Sequence, residues 1–183
     1  DPRKLQDPIV MVKRTDFRFP VIDPKRDWSR QLNKLCGNQD YLATIANTAI
    51  QLIGQKRCPL ILGERVQMLK DLQGMIKDSV CLIGETDEST RKDVLQNVGG
   101  KYKAVLSTKL FDEGISCHRL DTLILTCPNN NPIKLEQRIG RIIREHPDKQ
   151  IPMVVDFWLS GPIVARQQTK RLTWYQQHGY YIL

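Results

Sequence analysis

Short, continuously apolar runs recur along the chain, and segments with helical periodicity separate them. The runs span residues 8–13, 58–63, 79–84, 103–108, 121–128 and 152–157. Strands without an apolar–polar alternation are typical of parallel sheets buried on both faces, with helices as the crossovers between them. The pattern therefore predicts an α/β fold in which a mainly parallel sheet lies between two layers of helices. Function is then expected in the loops at the carboxyl ends of the strands.

Helices are predicted over residues 39–54, 64–76, 85–98 and about 163–177. The pattern is clearest in the first of these, where apolar residues recur at i, i+3, i+4 and i+7 and Gly54 marks the end. Residues 14–27 are predicted to form an irregular basic connector, because Pro20 and Pro24 interrupt the segment.

The chain is interpreted as one domain over residues 1–183. Within it, residues 1–38 are expected to form a first strand and the basic connector, and residues 160–183 a C-terminal helix and tail. A length of 183 residues is enough for one sizeable core and short for two.

The charge balance favours a polyanionic partner. The net charge is +8, with nucleic acid the first candidate and an acidic membrane surface the second. No apolar run approaches the roughly 18–20 residues of a membrane span, and the N-terminus has no apolar stretch typical of a signal peptide. The chain is expected to act in the cytoplasm or nucleus and not to be secreted. Because it does not begin with Met, it is expected to be part of a longer protein.

The five cysteines are scattered and form no C-x-x-C pair. We therefore expect reduced thiols and no disulfide framework. Cys117 and His118 are the only adjacent Cys/His pair, so a zinc site is not expected.

The stretch QRIGRIIRE (137–145) predicts an amphipathic helix. Gln137, Arg141 and Arg144 share one side at i, i+4 and i+7 spacing. Apolar residues with the same spacing lie roughly opposite: Leu135, Ile139 and Ile142. Gly140 would let a backbone or ligand approach the middle of this helix, at a helix cost of roughly 1 kcal/mol. The arginine side suits phosphate, although periodicity alone equally fits a solvated basic face paired with neighbouring glutamates.

The segments around this helix resemble the second RecA-like domain of superfamily 2 helicases and translocases. Four segments match its motifs in order: residues 59–72 resemble motif IV, residues 84–91 the conserved segment after it, Thr108 to Ser116 motif V, and residues 137–144 (QRIGRIIR) the full pattern of motif VI. The resemblance covers about residues 55–160. The flanking segments resemble helicases of phages and large DNA viruses, with restriction-type translocases as neighbours.

The resemblance implies site residues by position. Arg141 and Arg144 match the catalytic arginines that reach across a cleft to the γ-phosphate of ATP bound by the first domain. The positions matched to the nucleotide or the domain interface are Gln137, Arg138, Gly114 and Ser116. The positions matched to nucleic-acid contacts are Thr108, Gly63, Arg65, Gly84, Thr86 and Arg91.

Several of these assignments carry alternatives. Arg138 is expected to tie motif VI to motif V, and a surface ion pair is an equal alternative for Arg65 and Arg91. Many relatives have Asp at the position of Ser116, where a hydroxyl can still hydrogen-bond but brings no charge. The ribose contact made by that Asp is therefore in question for this chain.

Two ATPase motifs are missing from the sequence. It contains neither G-x-x-x-x-G-K-[ST] nor D-E-x-[DH], which would cradle the phosphates and hold Mg²⁺. The resemblance implies that ATP and Mg²⁺ are held mainly by an N-terminal RecA-like domain of the same protein. The 183-residue chain alone is expected not to hydrolyse ATP.

The functional expectation is the second motor domain of an ATP-dependent nucleic-acid helicase, on DNA more than RNA. The alternative is a non-catalytic nucleic-acid-binding module that retains the fold. A nucleotide-cofactor enzyme is poorly supported, because no G-x-G-x-x-G follows a strand.

The last predicted helix raises a separate question. Arg166, Lys170 and Arg171 precede Trp174 and Tyr175, a combination that could grip a single strand by charge and stacking. The preferred interpretation is that Trp174 packs the helix onto the domain.

Overall fold

A computed structural model describes residues 7–108, 117–129, 132–142 and 146–183, without the side chains of residues 132 and 133. The strands are β1 (Ile9–Arg18), β2 (Pro59–Leu62), β3 (Ser79–Leu82), β4 (Ala104–Ser107), β5 (Thr122–Leu125), β6 (Met153–Ser160) and β7 (Tyr181–Ile182). The helices are α1 (Pro24–Gly37), α2 (Gln39–Gly54), α3 (Val66–Met75), α4 (Glu88–Asn97), α5 (Pro132–Ile139) and α6 (Pro162–Gln177).

All the strands join one parallel sheet in the order β3-β4-β2-β5-β6-β1-β7. The predicted α/β fold with a mainly parallel sheet is therefore confirmed. The central strands β2, β4 and β5 are buried along their whole length, which explains their lack of apolar–polar alternation.

Two apolar clusters form the core, one on each face of the sheet. The first packs α1, α2 and α3 on one face and includes Tyr41, Leu69 and Phe157. The second packs α4, α5 and α6 on the other face and includes Val94, Ile139 and Tyr175. The helices thus form the two outer layers that the sequence predicts.

The prediction of an irregular connector over residues 14–27 is wrong. Strand β1 continues through Arg18, which pairs with Ser160 of β6, and α1 begins at Pro24. Pro24 lies in the first turn of the helix, where its missing N–H costs nothing, and the Asp23 carboxylate accepts from the backbone N–H of Lys25 at 3.1 Å. The proline was interpreted as an interruption but belongs to a helix start.

Among the described residues, no helix is long and apolar enough to cross a membrane. The described residues also hold no group of three or more His, Cys, Asp or Glu side chains placed to bind a metal ion.

Candidate functional site

The carboxyl ends of three neighbouring strands lie at one edge of the sheet. Strand β4 lies between β3 and β2, so Thr108 lies between the loop that begins at Gly84 and the loop that begins at Gly63. Parallel strands place their carboxyl ends at a common edge, where ligands of open α/β sheets bind. The fold therefore gathers the residues that the sequence matched to nucleic-acid contacts.

The loop between β2 and α3 is held by packing and hydrogen bonds. A Cβ atom on Gly63 would lie 2.8 Å from Leu69 Cδ2, so only glycine fits there without a shift. Arg65 donates from Nε to Asn33 Oδ1 at 2.8 Å and from Nη1 to the Glu64 carbonyl at 3.0 Å. The surface ion pair that was an equal alternative for Arg65 is not present among the described residues. Instead, Arg65 links this loop to α1.

The loop between β3 and α4 is a hydrogen-bonded turn closed by an arginine. Thr86 Oγ1 accepts from the backbone N–H of Ile83 at 3.0 Å. Arg91 donates from Nε to the Thr86 carbonyl and from Nη2 to the Ile83 carbonyl, both at 3.1 Å. Arg91 thus shapes the loop, and among the described residues it makes no ion pair. Gly84 is exposed, and an added Cβ there would meet nothing within 4 Å.

An acidic side chain caps the helix that follows this loop. Asp87 Oδ1 accepts from the backbone N–H of Thr90 at 2.7 Å and from Ser89 Oγ at 2.9 Å. The backbone hydrogen bond, followed by those from side chains, lowers the pKa of Asp87. The exposed edge of the loop therefore carries a fixed negative charge beside the predicted phosphate contacts.

The end of β4 is tied to its neighbour. Ser107 Oγ lies 2.9 Å from the Leu82 carbonyl and 3.0 Å from the Thr108 carbonyl. Thr108 itself is half-buried at the edge of the sheet. Gly114 and Ser116, which the sequence places in the same loop, lie outside the described residues.

The helix of motif VI is shorter at its carboxyl end than predicted. Helix α5 ends at Ile139, and the next residues form a turn in which Arg141 N–H donates to the Arg138 carbonyl at 3.1 Å and Ile142 N–H to the Ile139 carbonyl at 3.0 Å. Gly140 therefore follows the helix and does not lie at its centre, so the argument for a close approach in mid-helix is wrong. Glycine is a weak helix former and suits the position after a helix.

The apolar side of the motif is placed as expected. Leu135, Ile139 and Ile142 are buried in the core beneath α4, α5 and α6. Gln137 is exposed and Arg141 is half-buried. Arg144 lies outside the described residues.

Arg138 connects α5 to the β2–α3 loop. It is 9% exposed, and its Nη2 lies 4.0 Å from Glu64 Oε1. The resemblance predicts that Arg138 links motif VI to motif V, but its described ion-pair partner, Glu64, belongs to the motif IV loop. This contact brings the arginine-bearing segment to the edge that holds Gly63 and Thr108.

Helix α6 carries a buried polar cluster that sequence reasoning missed. Arg171 donates from Nε to Asp156 Oδ2 at 2.8 Å and from Nη2 to Asp156 Oδ1 at 2.9 Å, and the Tyr175 hydroxyl donates to Oδ2 at 2.9 Å. Arg171 also donates to the Asn129 carbonyl in the segment that leads to α5. The suggestion that Arg171 and Tyr175 grip a nucleic-acid strand is therefore wrong, because both are buried. The sequence feature that points to this buried cluster is Asp156, a charged residue inside the apolar run MVVDF.

The electrostatics of this cluster follow from burial and pairing. Burial, followed by the Asp156 charge, raises the pKa of Tyr175 well above its usual value, so the hydroxyl stays a donor. Burial by itself would lower the pKa of Arg171, but the Asp156 carboxylate outweighs it and raises that pKa.

Trp174 packs against aromatic neighbours. Its ring stacks on His178 with centroids 3.8 Å apart and meets Tyr175 and Tyr180 edge-on at 5.9 and 5.7 Å. It also belongs to the periphery of the core cluster under α6. The preferred interpretation of Trp174 as a packing residue agrees with these contacts, while Arg166 and Lys170 are exposed.

The chain matches a known family over most of its centre. Residues 44–146 match the helicase conserved C-terminal domain. A probable helicase, D10, of Escherichia phage T5 is 28% identical over 159 residues, which is 84% of this chain and 35% of the relative. A putative helicase, 22, of Sulfolobus islandicus filamentous virus is 28% identical over 130 residues, 67% of this chain and 23% of the relative. The chain thus spans about a third or less of these relatives.

Solved structures share the fold. T4 UvsW superposes with a TM-score of 0.71 at 17% identity, over 95% of this chain and 40% of that one. S. cerevisiae Dbp5, solved bound to RNA and ADP BeF3, superposes with a TM-score of 0.68 at 11% identity, over 97% of this chain and 41% of that one.

Proposed function

We propose that this chain, which belongs to the helicase conserved C-terminal domain family, forms the second half of an ATP-driven motor on nucleic acid. It corresponds to the second RecA-like domain of a superfamily 2 helicase. The two viral relatives carry the name helicase but extend well beyond the matched region. The proposal therefore includes a first RecA-like domain, which holds ATP and Mg²⁺. This chain supplies arginines to that nucleotide and contacts to the nucleic-acid backbone.

The observation that carries the proposal is the contact between Arg138 and Glu64. Their 4.0 Å approach places the end of α5 beside the β2–α3 loop, so the arginine segment and the predicted nucleic-acid loops share one edge. A motor needs these two surfaces to move together, because hydrolysis at one must shift the strand held by the other. The carboxyl ends of β3, β4 and β2, which are neighbours in the sheet, form that edge.

Arg141 and Arg144 are assigned to the phosphate. A guanidinium donates through a planar fork and stays charged, which suits the charge that spreads over a transferring phosphoryl group. Ile139 and Ile142 are buried on either side of Arg141, so its backbone is held while its side chain remains half-exposed. ATP supplies the reacting phosphate, and this chain only orients and stabilises charge. Gln137, Gly114 and Ser116 remain assigned to the interface with that nucleotide.

Thr108 and the loops at Gly63 and Gly84 are assigned to the strand backbone. Arg65 and Arg91 donate hydrogen bonds that hold these loops in shape. We therefore assign them a positioning role and not a direct phosphate contact. Thr86 likewise holds its loop through the bond from Ile83. DNA is preferred over RNA as the partner.

The test uses the protein that contains both motor domains. Arg141→Ala should lower nucleic-acid-stimulated ATP turnover by about 10³-fold, the scale of an arginine finger, while binding to single-stranded DNA persists. The matched control is Arg26→Ala, whose side chain is 78% exposed on α1, and it should turn over ATP normally. Turnover unaffected by Arg141→Ala would instead support a non-catalytic binding module.

A second experiment addresses the nucleic-acid surface. Thr108→Val keeps the shape of the side chain and removes its hydroxyl. It should weaken binding of the 183-residue chain to labelled single-stranded DNA by up to about tenfold, the worth of one hydrogen bond, with parallel RNA titrations reporting preference. The control is Thr44→Val, at a half-buried threonine on α2 whose hydroxyl donates to the Asp40 carbonyl of the same helix. Equal affinities for both variants would contradict the assignment of Thr108.

A further inference from the structure

Two cysteine thiols from distant parts of the chain meet near the carboxyl end of β5. Cys36 lies in the last turn of α1, and Cys127 follows β5. Their Sγ atoms are 4.0 Å apart although 91 positions separate them in sequence. Both thiols are free. A disulfide joins sulfur atoms about 2 Å apart, so the two sulfurs must move closer for the bond to form.

The two thiols differ in access. Cys36 is 4% exposed, whereas Cys127 is half-buried and lines a cavity of about 320 Å³ between α5 and α6. Leu135 and Trp174 line the same cavity. A water molecule occupies about 30 Å³ of liquid volume, so a small hydroperoxide fits easily. Cys127 is therefore the more solvent-accessible residue of the pair.

The thiols also differ in acidity. The hydrogen bond from Cys36 lowers the pKa of Cys127 and outweighs the opposing effect of burial. The same contact raises the pKa of Cys36. Burial raises the pKa of Cys58 to about 12 and that of Cys81 to about 11. Since the thiolate is the reactive form, Cys127 is favoured as the nucleophile and Cys36 as the thiol that keeps its proton.

We propose that Cys127 and Cys36 form an oxidisable pair, a modification site at which a hydroperoxide converts two thiols into one disulfide. The Cys127 thiolate attacks the O–H oxygen of the hydroperoxide and the O–O bond breaks. The other oxygen takes up a proton and leaves as an alcohol, or as water when the oxidant is hydrogen peroxide. Cys127 is then a sulfenic acid. Cys36 sulfur attacks Cys127 sulfur, the S–O bond breaks, and the hydroxide leaves as water with the Cys36 proton. Two electrons pass from the thiols to the hydroperoxide.

The disulfide would lock the site edge to α1. Thr126 Oγ1 donates to the Leu62 carbonyl at 2.5 Å, and the Tyr41 hydroxyl donates to the Thr126 carbonyl at 2.5 Å. Cys127 also shares a small cavity with Glu64 and Arg138. A covalent bond between Cys36 and Cys127 therefore joins α1 to the segment that follows β5, next to the Arg138–Glu64 contact. Oxidation of the two cysteines would therefore restrict motion at this edge of the sheet.

The experiment treats the 183-residue chain with one equivalent of hydrogen peroxide and maps peptides without reductant. The expected product is a Cys36–Cys127 linked peptide that is lighter by two hydrogen atoms and that dithiothreitol reverses. In Cys36→Ser, dimedone should trap a sulfenic acid at Cys127. In Cys127→Ser, it should trap none at Cys36. Cys81→Ser is the matched control and should form the disulfide at the unaltered rate.

Two further measurements decide between a native pair and incidental oxidation. In the reduced, folded chain, iodoacetamide should label Cys127 at least about tenfold faster than Cys58, in line with the difference in thiolate content. The oxidised chain should unfold at higher urea concentration than the reduced chain. A linked peptide that forms only in denaturant, or labelling of Cys127 no faster than of Cys58, would overturn the proposal. Cys36→Ala and Cys127→Ala repeat the test should a serine variant fail to fold.

Discussion

Replacing Arg171 by methionine should lower the free energy of unfolding by about 3–5 kcal/mol, because it leaves a buried carboxylate without its partner. Asp156 is 1% exposed, and Arg171 meets both of its oxygens at 2.8 and 2.9 Å. Methionine fills similar volume, so the loss is mainly electrostatic. The Tyr175 hydroxyl still donates to Asp156 Oδ2, which places the expected value toward the lower end of that range.

A double variant separates the orphaned charge from lost packing. Asp156→Asn in the Arg171→Met background removes the buried charge and leaves an acceptor for Tyr175. Replacing a buried ion pair by neutral groups of similar volume is often neutral, so the double variant should be more stable than Arg171→Met alone.

The measurement is urea unfolding followed by circular dichroism, with each variant compared through its midpoint and slope. Arg166→Met on the same helix is the control, since Arg166 is exposed and surface changes usually stay within about 0.5 kcal/mol. A loss below about 1 kcal/mol for Arg171→Met, or a double variant that is no more stable than it, would refute the reasoning.

Four other outcomes are expected. The purified 183-residue chain should show no nucleic-acid-stimulated ATP hydrolysis, and a measurable rate above a no-protein control would contradict a divided active site. Gly161→Ala should lower the unfolding free energy by about 2 kcal/mol or more in urea titrations, since overpacking costs this much and an added Cβ would lie 2.2 Å from the Phe19 carbonyl oxygen. Gly74→Ala is its matched control, because a Cβ at this position in α3 would meet nothing within 4 Å. This variant should raise the unfolding free energy by about 0.5–1 kcal/mol, and a lower unfolding free energy would contradict the argument. The pKa of Asp87 is lowered in the folded chain, so its stabilising contribution as a cap is present above the pKa of the unfolded chain and is lost as pH falls through the pKa of the folded chain. Asp87→Asn should flatten that part of the stability–pH curve, and an unchanged curve would contradict the capping role.

The fold was largely predictable because its strands are buried on both faces. Runs such as PLIL and TLIL lack alternation for the physical reason that both sides meet helices. The start of α1 was not predictable in the same way, because Pro24 can either interrupt a segment or open a helix. Only the Asp23 cap and the packing of Leu32 and Leu35 decide for the helix.

The candidate site was predictable in its parts but not in its contacts. Periodicity placed Gln137, Arg141 and Arg144 on one side of a predicted helix, and the resemblance to helicase motifs assigned them and the loops after β2, β3 and β4 to the site. The partner of Arg138 could not be read from the sequence, because Glu64 is 74 positions away (138 − 64) and the approach depends on how β2 and β5 lie side by side. Likewise, Arg171 appeared to be a basic surface residue until α6 packed it onto Asp156.

The sequence by itself determined the layered fold and the family, because hydrophobic periodicity and motif order are local properties of the chain. Only the tertiary structure decided which polar groups are paired, which arginines shape loops, and that Cys36 lies 4.0 Å from Cys127. The physical reason is that charges and thiols act over a few ångströms in space. A chain folded into a parallel sheet brings groups within that distance from positions that its sequence keeps far apart.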